Sequence, residues 1–327
     1  MNLLSKIRRS ARQQMRQYAV PWASIPMLSA TLARRWPMGQ PMILVISMPR
    51  SGSTWVGETL ARSSGASYLH EPFTGTLLDE GAKGGTFQFP FEAPPSCYWK
   101  VAERLQSGLP RFRLGIVRYP DQWQLSGRHE RQIVVKEVNV LGLPWFLNEL
   151  QPRVIHLVRH PAAVSNSRSR LPWHENLHGM FQPETIKHHE AEWIDKTEDP
   201  WIVAGAMHGL AMSLTSQLLI DYPDSMEVTY EQLCQDPMIE FKAILDFCGL
   251  PFTDEVRQYL QSSTREDVGR ETNPWGTSRD SSTMHERWKR ELEPDQVAQI
   301  RKGFDAMNPG FYRDDQSWSL VDQAVSP

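Results

Sequence analysis

The 327-residue chain sets 35 Lys and Arg against 38 Asp and Glu, a formal net charge of −3, with 40% hydrophobic residues. That is enough apolar material for one large α/β domain with appendages, and the near-balanced charge argues against a general nucleic-acid binder. Cys97, Cys234 and Cys248 are widely separated and outside any C-x-x-C pattern, and no histidine cluster has metal spacing, so neither a disulfide nor a metal is expected and a reducing cytoplasm is the default.

Residues 1–40 stand apart. Lys6, Arg8, Arg9, Arg12, Arg16, Arg34 and Arg35 all precede the first acid, Glu58. Leu4, Ile7, Ala11, Met15 and Tyr18 recur at helical spacing with the basic residues mostly opposite, which predicts a basic amphipathic helix from Asn2 to Ala19, ended by Pro21. Two readings stand side by side: peripheral contact with an anionic membrane through residues 1–20, or a helix packing its stripe on the main domain. There is no apolar run near the ~18 residues of a span and no signal-peptide core, so spanning or secretion is not expected. An Arg-rich, acid-free start is also the composition of an organelle transit peptide.

Met42 to Ile46 is an unbroken apolar run of strand length, followed by the loop Pro49-Arg50-Ser51-Gly52-Ser53 and a predicted helix from Thr54 to Arg62. Strand, small-residue loop and helix start make a phosphate cradle, because backbone N–H groups and the positive end of the helix dipole converge on one anion. Gly52 lets the backbone approach a ligand, and Ser51, Ser53 and Thr54 offer hydroxyl donors. It is not a Walker A loop, since the Gly-Lys pair is missing and the cation, Arg50, stands before the glycine. Pro49-Arg50-Ser51-Gly52-Ser53-Thr54-Trp55 resembles the 5′-phosphosulfate loop of sulfotransferases that use 3′-phosphoadenosine 5′-phosphosulfate (PAPS). An ordinary turn between strand and helix is the bland alternative.

That resemblance organises the rest of the chain. Glu71, 22 positions after Pro49, stands where the glycan and tyrosyl-protein branch of the family places a general base, at the end of a predicted strand; a structural ion pair, or His70 as the base, are the competing readings. Residues 74–131 are broken by glycines and prolines and read as a loop-rich insertion, either an acceptor-side lid or a packed excursion with its aromatics in the core. Gln132-Ile-Val-Val-Lys136-Glu137 reads as a short strand ending in Lys136, where the resemblance implies charge stabilisation on the transferring sulfonate or leaving phosphate. Val138 stands where the cytosolic phenol and steroid enzymes carry a catalytic His, a departure that shifts the base to Glu71.

Arg153 to Arg159 is a further buried-type strand running into His160-Pro161 and a helix start. The resemblance assigns Arg159, and Ser167 eight residues on, to the nucleotide 3′-phosphate, for which a guanidinium fork plus a hydroxyl is apt chemistry. Ile202 to Tyr222 reads as a core helix and Ser225 to Tyr230 as a strand. Tyr230 opens a segment similar to the family's Y-E-x-L-x-x-D-P, implying that Tyr230 approaches the adenine while Trp55 stacks on it; core packing is the alternative for both rings. Helices are predicted over Pro237 to Gly249, Thr253 to Gln261 and Pro294 to Phe304. Arg279 is the candidate for the basic loop that closes the nucleotide site, although the family's R-K-G triplet is absent.

The expectation is therefore an α/β, three-layer P-loop-like domain with a central parallel sheet over residues 41–315, a basic extension (1–40) and a tail (316–327). It is expected to transfer a sulfuryl group from PAPS, without a metal, to a hydroxyl or amine of a glycan, lipid or small molecule. A P-loop kinase and a silent nucleotide-binding scaffold at a membrane surface are the alternatives; oligomeric state and acceptor are not legible.

Overall fold

The computed structural model describes residues 18–81, 93–170, 181, 183–264 and 285–320. Its chain order is α1 (Pro26–Arg35), β1 (Gly39–Ile46), α2 (Ser53–Ala61), β2 (Ala66–His70), α3 (Pro72–Asp79), α4 (Ser96–Gln106), β3 (Gln132–Glu137), α5 (Leu143–Leu150), β4 (Arg153–Val158) and α6 (Pro161–Arg168). It continues with α7 (Pro183–His188), α8 (Pro200–Leu219), β5 (Ser225–Thr229), α9 (Tyr230–Gln235), α10 (Pro237–Cys248), α11 (Asp254–Ser263), α12 (Trp288–Glu291) and α13 (Pro294–Ala306). The strands form one parallel sheet in the order β2-β3-β1-β4-β5.

The three layers follow from strand alternation. Along β1, Leu44 and Ile46 enter one core, shared with Phe73, Tyr98, Phe146 and Val203 from α3, α4, α5 and α8. Ile43 and Val45 enter the other, shared with Val56, Leu60, Phe241 and Leu245 from α2 and α10. A sheet covered on both faces needs strands apolar on both sides, and β1 is such a run. The α/β, parallel-sheet architecture read from the sequence is the one found.

β1 is central, with β3 on one side and β4 on the other. From β1 the chain runs to β2 at one edge, returns through β3 and then passes β1 to reach β4 and β5 on its other side, so a crevice opens beyond the carboxyl end of β1, the usual ligand position in such sheets. Val45 is level with Lys136 of β3 and Ile155 of β4. Residues about a hundred positions apart thus meet at one edge.

The predicted Thr54–Arg62, Pro237–Gly249 and Thr253–Gln261 helices are α2, α10 and α11, each within two residues at its ends. α8 is, among the described residues, the helix long and apolar enough to cross a membrane, but 67% of its apolar window is buried inside the protein, in keeping with the core helix expected there. It meets α13 backbone to backbone: a Cβ on Gly205 would run into the Ile300 carbonyl, and one on Gly303 into that of Ile202.

Between residues 74 and 131 the chain is more ordered than its glycines suggest. α3 and α4 lie here, and Tyr98 and Trp123 are fully buried, which supports the packed excursion for these rings. Trp99 is exposed, while Phe87, Phe89 and Phe91 lie outside the described residues. The predicted Asn2–Ala19 helix also falls almost wholly outside them. The chain from Tyr18 onward is tied down: Ala19 N–H donates to Phe112 O at 2.9 Å, Trp22 Nε1 to Trp123 O at 2.7 Å and Arg111 Nε to Ala23 O at 2.8 Å. The buried Arg128 lies 5.0 Å from the Trp22 ring and donates to Gly108 O at 2.6 Å. Val20, Ala23 and Met38 join the core, so the packed body begins before residue 41.

Candidate active site

The loop from β1 to α2 is curled by two left-handed residues, Arg50 (φ 75°) and Gly52 (φ 95°). Gly52 is needed twice over: its φ favours glycine, and a Cβ there would stand 2.5 Å from the Tyr230 ring. Arg50 pays the left-handed cost that a non-glycine residue incurs, about 1–2 kcal/mol, the kind of strain that surrounding contacts hold in place at a site. Those contacts are visible. Arg159 Nη1 donates to the Arg50 carbonyl at 2.9 Å, and Arg50 Nε donates to Ser167 Oγ at 3.0 Å. The two predicted anion sites, the loop and the β4–α6 junction, are therefore adjacent and joined through Arg50. The Arg159 guanidinium lies 4.3 Å from the centroid of Tyr230.

At the start of α2 the first N–H groups have no intrahelical carbonyl and carry the positive end of the helix dipole. Ser51 is buried, and its Oγ has no hydrogen-bond partner among the described residues. Buried hydroxyls are normally paired. Ser53 is buried and Thr54 half-buried beside it. The Trp55 indole is also buried, donating from Nε1 to Ser263 Oγ at 3.1 Å and meeting Phe241 edge-on at 4.9 Å. In this structure Trp55 and Tyr230 are thus engaged in packing, the alternative weighed for both.

An aromatic clasp braces the second predicted anion site. His160, between Arg159 and α6, stacks on Trp288 at 4.5 Å and is met edge-on by Tyr312 and Trp318. Burial holds its pKa well below the usual value, so the ring is neutral. Glu231 ties the clasp to α9, accepting the His160 N–H at 3.1 Å and the Tyr312 hydroxyl at 2.6 Å. Trp318 is buried here, so the segment expected to be a tail begins as part of the domain.

The third cluster lies where β2 and β3 end. Glu71, left-handed at φ 49°, caps α3, and its N–H donates to Lys136 O at 2.7 Å. Lys136 Nζ pairs with Glu71 Oε1. The Lys136 side chain is 3% exposed and that of Glu71 28%, so the carboxylate is the member that solvent or an acceptor reaches. His70 lies alongside, its Nδ1 2.8 Å from the Tyr68 hydroxyl and its Nε2 3.8 Å from Glu71. Burial, together with the charges of Lys136 and Arg118, holds the His70 pKa far below the ordinary imidazole value. His70 is therefore a neutral and weak base, and Glu71 is the better placed of the two.

Sequence reasoning missed Glu137. Alternation turns Lys136 toward the α2 face and Glu137 toward the other, where it is fully buried. Its Oε1 accepts the N–H of Phe73 at 2.7 Å and of Thr74 at 3.3 Å, and its Oε2 accepts the Thr74 hydroxyl at 2.7 Å. One β3 carboxylate thus satisfies the first turn of α3, which Glu71 cannot cap with its own side chain. Burial first, then the Glu71 charge, pushes the Glu137 pKa up to about 7. Also unforeseen is Glu58, buried on α2, which accepts from Arg118 Nη1 at 2.6 Å and from the Tyr119 hydroxyl.

The structure thus brings together Arg50, Ser51, Gly52, Arg159, Ser167 and Tyr230 in one group and Glu71 with Lys136 in another, on neighbouring strand ends. Arg279 lies outside the described residues. Among the described residues no group of three or more His, Cys, Asp or Glu side chains could hold a metal ion. Chemically, the arrangement suits a ligand with two anionic ends, and a proton acceptor stands within reach of solvent.

Residues 40–311 match the family model described as the sulfotransferase domain. Over 73 residues the chain is 36% identical to carbohydrate sulfotransferase 1 of Rattus norvegicus, a match that covers 22% of this chain and 18% of that protein. A longer match, 22% identical over 318 residues, covers 79% of this chain and 78% of carbohydrate sulfotransferase 4 of Mus musculus. Among solved structures, a mouse sulfotransferase complexed with PAP aligns at 14% identity and a TM-score of 0.43, covering 90% of this chain and 92% of the other.

Proposed function

Because this chain belongs to the sulfotransferase family, we propose that it moves a sulfuryl group from PAPS to a hydroxyl of a carbohydrate or another sizeable acceptor. The observation that carries the donor is the bridge from Arg50 to Ser167, which joins two anion sites into one, with the buried Ser51 hydroxyl still to be satisfied. These features fit a nucleotide with phosphate at both its 5′ and 3′ positions. The carbohydrate acceptor rests on the relatives' names alone.

Bound PAPS supplies a sulfuryl group on a phosphate leaving group. Arg50 and the first N–H groups of α2 neutralise charge on the 5′ side, where it grows as the leaving phosphate departs. Arg159 and Ser167 hold the 3′-phosphate by charge-assisted and hydroxyl hydrogen bonds. Lys136 stands at the transferring end, and Glu71 takes the acceptor proton. The two side chains are joined as an ion pair. With Arg50 and Lys136 supplying the positive charge, the reaction is expected to proceed in EDTA.

The test is calorimetry in EDTA with 3′-phosphoadenosine 5′-phosphate, against adenosine 5′-phosphate and ATP with Mg²⁺. Binding should depend on the 3′-phosphate, and Arg159→Ala should weaken it about tenfold to a hundredfold, as loss of a charged hydrogen bond implies, and by more than it weakens binding of adenosine 5′-phosphate, which loses only the Arg159 support of the loop. A preference for ATP with Mg²⁺ would overturn the donor assignment.

A further inference from the structure

We propose that the outer face of α1 is a docking surface for an anionic lipid bilayer. α1 turns Ser29 and Ala33, four residues apart and buried, toward the domain. Its outer side carries Met27, 87% exposed, and Leu28, with exposed Ile25 just ahead of the helix. Arg34 and Arg35 are exposed at its carboxyl end, followed by the partly exposed Trp36, whose ring centroid lies 5.0 Å from the Arg35 guanidinium. Apolar side chains, basic heads on long stems and an indole at the rim are the composition of an interfacial helix.

This face is held outward. Arg111 clamps the segment from both sides, donating to Ala23 O and to the Ser29 hydroxyl. Arg128, a buried cation with no carboxylate partner among the described residues, sits over Trp22 just before α1. Burying such a charge is costly, and here it fastens the entry to α1 against the core.

Charge selects the occupant. The sequence has no acid before Glu58, so a second copy docking through the same face about a two-fold axis would set Arg34 and Arg35 against their own kind. Residues 1–17 carry Lys6, Arg8, Arg9, Arg12 and Arg16 and no acid, and would oppose them in the same way. An anionic bilayer suits both halves of the face: Ile25, Met27 and Leu28 enter the boundary between headgroups and acyl chains, while the arginines reach lipid phosphates. The inference is independent of donor and acceptor.

The experiment is flotation of the full chain with vesicles of phosphatidylcholine alone or with about a third phosphatidylserine, a typical anionic fraction. Binding should require the anionic lipid and weaken in high salt. R34E/R35E should lower it by at least about tenfold, given roughly fivefold per basic residue at such a surface, and M27E/L28E should lower it comparably. Wild-type far-UV circular dichroism and an unchanged urea-unfolding midpoint would show that both variants fold. Equal binding to neutral vesicles would overturn the proposal. So would full vesicle binding by M27E/L28E, competition by dextran sulfate that M27E/L28E does not alter, or loss of a dimer rather than of lipid binding in that variant.

Discussion

Glu137→Gln separates the shape of the α3 cap from its charge. The Gln amide keeps an oxygen for the Phe73 and Thr74 N–H groups and turns its –NH2 toward the Thr74 hydroxyl, so most of the cap survives. What disappears is a proton site. The Glu137 carboxyl titrates at about 7 in the folded protein against an ordinary 4.5, so between those values the folded state binds more protons than the unfolded one. Stability from this group therefore falls as pH rises through that window. From pH ~5.5 to pH ~8 the wild type should lose about 2 kcal/mol through Glu137, and the glutamine variant nothing. The neutral, buried His160 and His208 contribute in the opposite sense, since their pKa values are lowered, but equally in both proteins. Urea unfolding of both proteins at the two pH values measures the difference, which should move by about 2 kcal/mol in favour of the variant at the higher pH. A difference independent of pH would refute the claim that burial keeps this carboxyl protonated. Glu137→Ala leaves the Phe73 and Thr74 N–H groups unsatisfied and should cost about 2–5 kcal/mol, with the cost about 2 kcal/mol greater at the lower pH because the same proton site is lost; kcat should fall with nucleotide affinity retained, because Glu71 immediately precedes α3.

Glu71→Gln should lower kcat by roughly 10²–10⁴, the usual worth of a positioned general base, while calorimetry with 3′-phosphoadenosine 5′-phosphate gives an unchanged affinity; unchanged turnover would remove Glu71 from the chemistry. Gly52→Ala places a Cβ against Tyr230 at a left-handed position and should abolish nucleotide binding while the far-UV circular dichroism stays as in the wild type; intact binding would mean that the loop tolerates another path.

How much of this was legible depended on whether a residue's role is local. Met42–Ile46 followed by small residues dictates its own strand and turn, and His160-Pro161 after an apolar run announces a helix start, so these elements could be placed by number, whereas Arg159 and Ser167 were assigned through the family resemblance. α3 and α4 could not: Gly75 lowers helix propensity within α3 and Pro94-Pro95 break the pattern just ahead of α4, and what compensates is burial of Phe73, Tyr98 and Val101 against the sheet, a tertiary effect. Glu137 was hidden for a similar reason, since only the strand register says which of Lys136 and Glu137 faces α2. Trp318 looked like part of a tail because its partner, His160, lies 158 positions away in the chain.

The bridge through Arg50 bears on selectivity. Its carbonyl is held by the residue assigned to the 3′-phosphate and its side chain by the hydroxyl assigned to the same group, so on the proposed function the conformation of the β1–α2 loop is coupled to what the far end of the nucleotide carries. A donor lacking the 3′-phosphate, adenosine 5′-phosphosulfate, would leave the Arg159 and Ser167 bonds to Arg50 as they stand in this structure, whereas a 3′-phosphate would compete for the same two groups and so reset the loop. Discrimination between the two donors should then appear in the rate of transfer as well as in affinity, because the handle of the nucleotide tunes the loop that grips its reactive end.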